Sequence, residues 1–466
     1  MPDFSTISQD PTIRALVQDG LLERAFHDAL FPRLLFRGEA MPQLWPNNIG
    51  DSMAFTGVGL VAPKINPLTP GTDPTPSTYQ AEQWTATLNQ YADTIDTHMP
   101  SSITAIANLF LRNAQQLGLG SGQSLNRAVR DRLYNAAQSG STVVDGAQNA
   151  VTTLRVKRLK GFTSARRPDL STGSSVQFAA VSTNNPLKVL LGSTLTANTV
   201  IGYTPDNVGD KDGPGTLTLS AASPNLSDRD NCLAVDRTYI VYVGGGTRTD
   251  DIGGSDLMTL AAIRSAVARF WQENVPEMPD GRFHMHMDPT AQSQVFSDQE
   301  FQRLLTSLPD YFMYKNFALG EMLGTVIFRN SECPLPETVY PNDGVTYSTQ
   351  DPFSGELYSN GSSSTGVKIH RTLLVAQGAI MEYYQDLGAL ITEAGVTGKV
   401  GNSTINNNGI EVNTDRIQLI IRSPLNRLQD LVSTSWKFIG DWPVRTDVTT
   451  GDAARYKRVC QIESGE

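Results

Sequence analysis

The chain changes hydrophobic period several times, and those changes mark its organisation. Ile103, Ile106, Ala107, Phe110, Leu111, Ala114 and Leu117 fall on one side of a 3.6-residue period, the apolar stripe of an amphipathic helix. Gly118, Gly120 and Gly122 interrupt the stripe, which resumes at Leu125, Ala128, Val129, Leu133, Ala136 and Ala137. This pattern predicts a long, broken helix over about 101–139, ended by Gly140 as a cap. A second helix is expected over Ser255–Asn274, with Leu257, Leu260, Ala261, Ile263, Ala266, Val267 and Phe270 on its apolar face and Ser255 as cap. A third is expected over Asp298–Leu308. Near the start, Ile13, Leu16, Val17, Leu21 and Leu22 also recur at helical spacing, but Pro32, Pro42 and Pro46 forbid one long helix. Residues 1–44 therefore read equally as a helix on its own domain or as an arm across a neighbour.

Elsewhere the period is two. Val143-Val144 and Val151–Leu159 predict strands, and from about 165 to 245 the composition shifts to Ser, Thr, Gly, Asn and Val. Short β runs there, Val176–Val181, Lys188–Leu191, Thr216–Leu219 and Thr238–Val243, are separated by Asn-Asn-Pro, Pro-Asp-Asn and Gly-Pro-Gly turns. These predict a small antiparallel β insertion. Further strands are expected at Phe283–Met287, Leu319–Phe328, Thr372–Ala376, Ile417–Ile421, Ser433–Phe438 and Val459–Ile462, with a turn-rich loop over 333–366. Helical and strand periods both occur along the chain, and an α+β class is expected.

One stretch fits neither period. Trp45 to Pro100 holds seven prolines and six charged residues, together with Phe55, Trp84 and Tyr91. A connection this long without its own pattern is either functional or disordered, and disorder favours high net charge and few aromatics. The expectation is an extended, apolar arm or loop ordered against something else, most simply a second copy of the chain. Phe55, Lys64, Pro67, Trp84 and Tyr91 are its subunit-contact candidates.

Composition narrows the function classes. At 466 residues the chain exceeds a single core and should have two or more lobes. Charged residues make up 18% of it, below the roughly 25% of soluble globular proteins, as expected where surface is hidden in interfaces. A formal charge of −10 argues against a reader of nucleic-acid sequence. Cys232, Cys333 and Cys460 are scattered, so neither a disulfide framework nor a zinc ribbon is indicated, and folding in a reducing cytoplasm is expected. The N-terminus lacks a signal-peptide pattern, and no membrane span is predicted.

Chemistry is sparse. His284, His286 and Asp288 share one face of a predicted strand, so they read either as three metal ligands or as the polar face of that strand. Asp93 and Asp96 read as charges ahead of the long helix, or as a carboxylate pair on which nothing converges. Gly244-Gly245-Gly246 reads as a flexible turn. No nucleophile elbow, Walker A or dinucleotide motif is present, so no enzyme, cofactor or metal is expected. Arg155, Lys157, Arg158, Lys160, Arg166 and Arg167 form a local basic run that could face nucleic acid without sequence specificity, or be an ion-paired subunit contact.

The order of these features resembles a known family. A short arm leads to the loop ending at Tyr91-Ala92-Asp93-Thr94-Ile95-Asp96-Thr97-His98-Met99-Pro100, and then to the helical run Ala107–Asn113. Gly281-Arg282-Phe283-His284-Met285-His286-Met287-Asp288-Pro289, the Leu319–Phe328 run and Asp415–Leu428 follow. With Leu44-Trp45-Pro46-Asn47-Asn48-Ile49-Gly50 and Pro67-Leu68-Thr69-Pro70-Gly71, they resemble the tailed-phage major capsid proteins of the Hong Kong 97 type over nearly the whole chain except 165–245.

That resemblance implies an N-terminal arm at 1–44, an E-loop at 45–100, a spine helix with the first part of a peripheral domain at 101–164, and a β-rich insertion domain at 165–246. It further implies a second peripheral part at 247–290, an axial domain at 291–430 and C-terminal peripheral strands at 431–466. It implies self-assembly through hexamers and pentamers into an icosahedral head around double-stranded DNA, assembled in the host cytoplasm. A scaffold protein, a portal and a decoration protein are the implied partners. In some members a lysine and an asparagine cross-link, and Lys64 is the sole lysine of the E-loop segment. A charged helical leader is not visible, which implies a separate scaffold or a mature chain. The alternative is a tail or surface-layer protein with an adhesive β module.

Overall fold

The computed structural model describes residues 35–46, 50–58, 64–74, 76, 81–98, 109–167, 177–208, 213–306, 320–333, 367–385, 399–400, 403–406, 409–414, 416–422, 431–448 and 454–466. They divide into two compact units: Met1–Ala54 with Thr85–Arg132 and Ile380–Pro443, and Phe55–Trp84 with Leu133–Ala379 and Val444–Glu466. The expected opening helix, the 333–366 loop except Cys333, and the position of Phe110 within its stripe lie outside the described residues or side chains.

The first unit carries an eight-stranded sheet. Its path is β1 (Met41–Leu44), β18 (Met381–Tyr384), β23 (Leu431–Asp441), β22 (Ile417–Arg422), β21 (Gly409–Thr414), β20 (Ser403–Asn406) and β19 (Lys399–Val400), with β4 (Asn89–His98) also on β23. β1 runs parallel to β18 and the other pairs are antiparallel. Strand β23 alternates strictly, burying Val432, Thr434, Trp436, Phe438 and Gly440, the period expected of a strand with one covered face. β4 pairs with it from Leu431 opposite His98 to Gly440 opposite Asn89. The expected loop over 45–100 therefore ends in a regular sheet strand. Asp93 and Asp96 lie on that strand, opposite Trp436 and Ser433, and not at a helix start.

Beneath this sheet's end, Glu382 is fully buried and accepts from Arg37 Nε (2.9 Å), Arg37 Nη2 (2.8 Å), Arg416 Nη1 (2.7 Å) and Trp442 Nε1 (3.2 Å). The Phe36 amide donates to Asn126 Oδ1 at 2.7 Å. Residues 36–44 are thus fastened within the first unit by a charge network and by the β1–β18 ladder.

Helix α1 (Leu109–Ala137) is one continuous element. Gly118, Gly120 and Gly122 do not break it, contrary to the sequence expectation. Each mid-helix glycine costs about 1 kcal/mol against alanine. Complete or nearly complete burial of Ala114, Leu117, Leu125, Val129, Leu133 and Ala137 outweighs that, since a buried leucine or valine contributes about 1.5–3 kcal/mol. Gly140 takes φ +77° just past its end, and a Cβ there would sit 2.9 Å from Ala234 Cβ, so glycine is required.

The second unit contains a mixed sheet in the order β13 (Tyr239–Tyr242), β26 (Val459–Gly465), β17 (Ile369–Val375), β14 (Phe283–Met287), β16 (Thr325–Arg329) and β15 (Glu321–Met322). Helix α2 (Leu260–Gln272) covers it, burying Ile263, Ala266, Val267 and Phe270 in one core with Phe283, Met285, Leu374 and Ile462. This helix starts five residues later than expected. Thr259 is its cap, with its side chain accepting from the Ala262 amide, and Leu257 is part-exposed ahead of it. Helices α3 (Pro289–Ser297) and α4 (Gln299–Thr306) follow β14, and Asp288 caps α3 with proline in its first turn. Of the expected run, residues 321–328 form two strands, split by a turn at Leu323 (φ +53°) and Gly324 (φ +76°).

The β module is a closed barrel. Its antiparallel order is β5 (Ser141–Val143), β12 (Asn231–Ala234), β9 (Leu187–Leu191), β10 (Thr196–Pro205), β11 (Gly215–Leu219) and β6 (Thr153–Val156). A Val144–Val156 bridge closes the ring, flanked by Asp145 N donating to Arg155 O (3.0 Å) and Lys157 N to Val143 O (3.1 Å). Closure removes the exposed sheet edges. Val144, Leu154, Val156, Val189, Leu191, Val200, Leu217 and Cys232 fill its interior. The module thus takes in β5 and β6, before the expected boundary at 165, and gives up β13 to the mixed sheet. The expected 291–430 block is likewise divided, since β16 and β17 join β26 while β18 to β22 join β23. Two-stranded ribbons β2 (Ser52–Val58) with β3 (Ala81–Thr87), β7 (Ser164–Arg167) with β8 (Gln177–Ala180), and β24 (Asp447–Val448) with β25 (Ala454–Arg455) complete the described strands.

Candidate functional site

The β2–β3 ribbon explains where the prolines of 45–100 go. Neither strand contains proline, which cannot donate to a ladder, and Pro63, Pro67, Pro70, Pro74 and Pro76 all lie between them. Thr69-Pro70-Gly71-Thr72 makes a tight turn. Thr72 N and Oγ1 donate to Thr69 O at 3.2 and 2.7 Å, and Gly71 takes φ +89°. Proline then glycine is the pairing that a type II turn requires.

Of the contact candidates, Phe55 and Trp84 meet across the ribbon with ring centroids 6.4 Å apart and planes at 20°. Trp84 is buried, with the Arg445 guanidinium 5.2 Å over its ring. Lys64 and Pro67 are elsewhere, exposed in the loop, where Ile65 is 91% and Leu68 58% exposed. Tyr91 is not part of the ribbon. It is half-buried on β4, 5.3 Å from the Trp442 ring and 6.4 Å from that of Phe438. The described part is therefore a two-stranded stem and a proline-glycine turn, with the Ile65 and Leu68 side chains exposed beside it. Ile65 and Leu68 were the residues the sequence reading passed over, and their place between prolines was the available signal.

The basic run does not form one free patch. Arg155 Nε meets Asp145 at 2.9 Å and its Nη atoms meet Asp206 at 3.2 and 2.7 Å; these hydrogen bonds, Asp206 first, hold the guanidinium pKa above its usual value. Lys157 Nζ lies 3.4 Å from Asp145. Arg158 donates to Gln138 at 2.8 Å, and Lys160 to Asn135. Arg166 and Arg167 lie on β7 opposite Phe178 and Gln177, with their side chains outside the described set. Asp206, fifty-one residues from Arg155, could not be paired with it by spacing alone.

On β14, His284 faces Asp280 at 3.0 Å and packs on Phe328, while His286 stacks on Phe328 with centroids 5.5 Å apart. Asp288 caps α3 and contacts His370 Nδ1 at 2.8 Å. Each of the three has its own partner, and they do not converge. Among the described residues no group of three or more His, Cys, Asp or Glu is placed to hold a metal. The three cysteines are buried, and burial pushes the thiols of Cys232 and Cys460 well up. No described helix is long and apolar enough to cross a membrane.

No protein-family model and no curated protein matches the chain. Among solved structures it is similar to the capsid of Ralstonia phage GP4, at 14% identity over 93% of this chain and 91% of that one, with a TM-score of 0.48. It is also similar to the capsid of cyanophage Pam1 (10% identity, 94% and 92% covered, TM-score 0.47) and to that of cyanophage P-SCSP1u (11%, 92% and 88%, 0.45).

Proposed function

We propose that the chain is a phage major capsid protein of the Hong Kong 97 type, a non-enzymatic structural subunit that assembles with copies of itself into the head of a virion. The observation that carries this reading is the β2–β3 ribbon with its exposed tip. The stem of that ribbon rests on its own chain at Trp84, but at its tip Ile65 is 91% and Leu68 58% exposed. A second copy of the chain supplies their cover. In this reading 45–88 is the E-loop, and the first unit, with its long sheet and the start of α1, takes the peripheral role. The second unit takes the axial role and carries the barrel.

Hexamers and pentamers around double-stranded DNA, with a scaffold, a portal and a decoration protein as partners, belong to the same proposal. Contact with DNA is non-specific and weak, because Asp145 and Asp206 already neutralise Arg155 and Lys157. Replacing Ile65 and Leu68 by aspartate tests the carrying observation. The expected product keeps the wild-type melting temperature but sediments as small species where the parent forms large particles. Unchanged assembly would show that the tip is not an interface.

A further inference from the structure

Within the second unit, positive charge outnumbers acid where the β24–β25 ribbon meets the end of α2 and the start of β13. Just past α2, the Glu273 carboxylate is shared by Arg269, one turn before it, and Arg455 on β25. Asp447 on β24 stands opposite Arg455 in the ladder and accepts from Arg458 Nε (2.7 Å) and Nη2 (2.9 Å). Arg237, ahead of β13, has no acidic partner among the described residues, and its Nη1 donates to Ala234 O at 3.4 Å. Burial lowers its pKa, Tyr242 raises it and Arg455 lowers it again, so the Arg237 and Arg455 guanidinium groups stand close enough to repel. Lys457, between Arg455 and Arg458, has no side-chain partner among the described residues. Four arginines and one lysine therefore share two carboxylates, on a chain whose formal charge is −10.

The side chains of Arg269, Arg455 and Arg458 are partly buried and held by their ion pairs, yet each still reaches solvent. Charges placed this way are screened less than free surface charges, and little order is lost when they meet a ligand. At about 0.1 M salt the Debye length is about 10 Å, so acids elsewhere on the chain do not cancel the local excess. β7, the strand that carries Arg166 and Arg167, passes beside β25. Nucleic-acid interfaces are much more positive than protein interfaces, and the guanidinium fork matches phosphate oxygens.

We propose that Arg237, Arg269, Arg455, Lys457 and Arg458 form a contact surface for the phosphate backbone of double-stranded nucleic acid, made without regard to base sequence. It extends the shell reading, in which such a polyanion is enclosed, and moves the contact away from Arg155 and Lys157. The test is fluorescence anisotropy of a short labelled DNA duplex titrated with the purified chain, from about 50 to 200 mM sodium chloride. Affinity should fall as salt rises, with the same slope for two duplexes of unrelated sequence. Each phosphate contact contributes about 0.9 to the slope of log affinity against log salt. Lys457→Gln, which breaks no side-chain bond of the described fold, should therefore lower the slope by about one. Arg264→Gln removes an equal charge from an exposed position on α2 and should leave the slope unchanged. No duplex binding at the lowest salt, or the same slope in Lys457→Gln as in the wild type, would overturn the proposal. Stronger competition by polyglutamate than by unlabelled duplex at matched charge would also overturn it, and would assign the patch to an acidic protein segment. Closed shells without affinity for the duplex would leave the assembly reading in place and remove this surface alone.

Discussion

Replacing Glu382 by leucine should loosen the first unit at the point where residues 36–44 join it. Glu382 is fully buried and answers four donors, two from Arg37, one from Arg416 and one from Trp442. The side chain of Arg37 is 3% exposed, so removing the carboxylate strands a guanidinium out of water. Breaking a buried pair this way costs about 3–5 kcal/mol, against about 5–15 kcal/mol for a whole domain. Arg416 adds little, because its side chain is 30% exposed and can turn to solvent. Hydrogen exchange over 41–44 and 381–384 reads the loss locally, since β1 and β18 form their ladder beside the pair. At about 1.4 kcal/mol per tenfold, exchange there should quicken at least a hundredfold in Glu382→Leu. The double variant Arg37→Met with Glu382→Leu should recover most of that protection, as an apolar pair often replaces a buried ion pair without loss. Exchange within about threefold of wild type in Glu382→Leu, or no recovery in the double variant, would refute the reasoning. The acid limb has a definite sign. Burial raises the Glu382 pKa, but Arg37 and then Arg416 outweigh it and hold the carboxyl below its usual range. The pair's stability is therefore present above about pH 4.3 and is lost as pH falls through the lowered value.

Two further outcomes follow from single clusters. His370 is buried with Nδ1 2.8 Å from Asp288 and Nε2 3.0 Å from Glu466, and only an imidazolium can donate to both; burial lowers its pKa, but the bonds and charges of Asp288 and then Glu466 raise it above the ordinary value. Stability from this group is fully present below about pH 6.5 and fades as pH rises through the raised value, so the melting temperature should fall on the alkaline side and His370→Gln should flatten that slope; an NMR-titrated pKa at or below 6.5 would count against it. Excising 168–235 should give insoluble protein, because it removes β8 to β12 and strands β5 and β6, whereas the separate segment 141–234 should fold alone with a cooperative thermal transition; the reverse pattern would mean that the barrel is not the module.

Periodicity carried the elements whose environment is simple. Strand β14 was legible to the residue, and the cores of β17, β22, β23 and β26 were legible because each combines β-branched or aromatic residues with clear boundaries. The unbroken course of α1 through Gly118, Gly120 and Gly122 was not, because tertiary burial of Leu117 and Leu125 decides it and propensity does not. Strand β10 was missed for the opposite reason. Thr196 to Pro205 is rich in small and polar residues, with Val200 its one fully buried anchor, and it becomes a strand only between β9 and β11. Barrel closure rests on Val144 meeting Val156 and on Asp145 and Lys157 amides finding Arg155 and Val143 carbonyls, which no local pattern announces. The contact candidates divided the same way. Phe55, Trp84 and Tyr91 read alike in the sequence as apolar anchors of an extended arm, whereas in the structure Phe55 and Trp84 meet across a ribbon and Tyr91 packs on Phe438 and Trp442.

Electron microscopy of the purified 466-residue chain tests the central claim most directly. A capsid subunit that needs a neighbour to cover Ile65 and Leu68 should appear as closed shells, or as rings with six-fold and five-fold symmetry, whose maps show the β2–β3 ribbon lying on an adjacent copy. Monodisperse monomers at high protein concentration, with the ribbon folded back on its own chain, would contradict it.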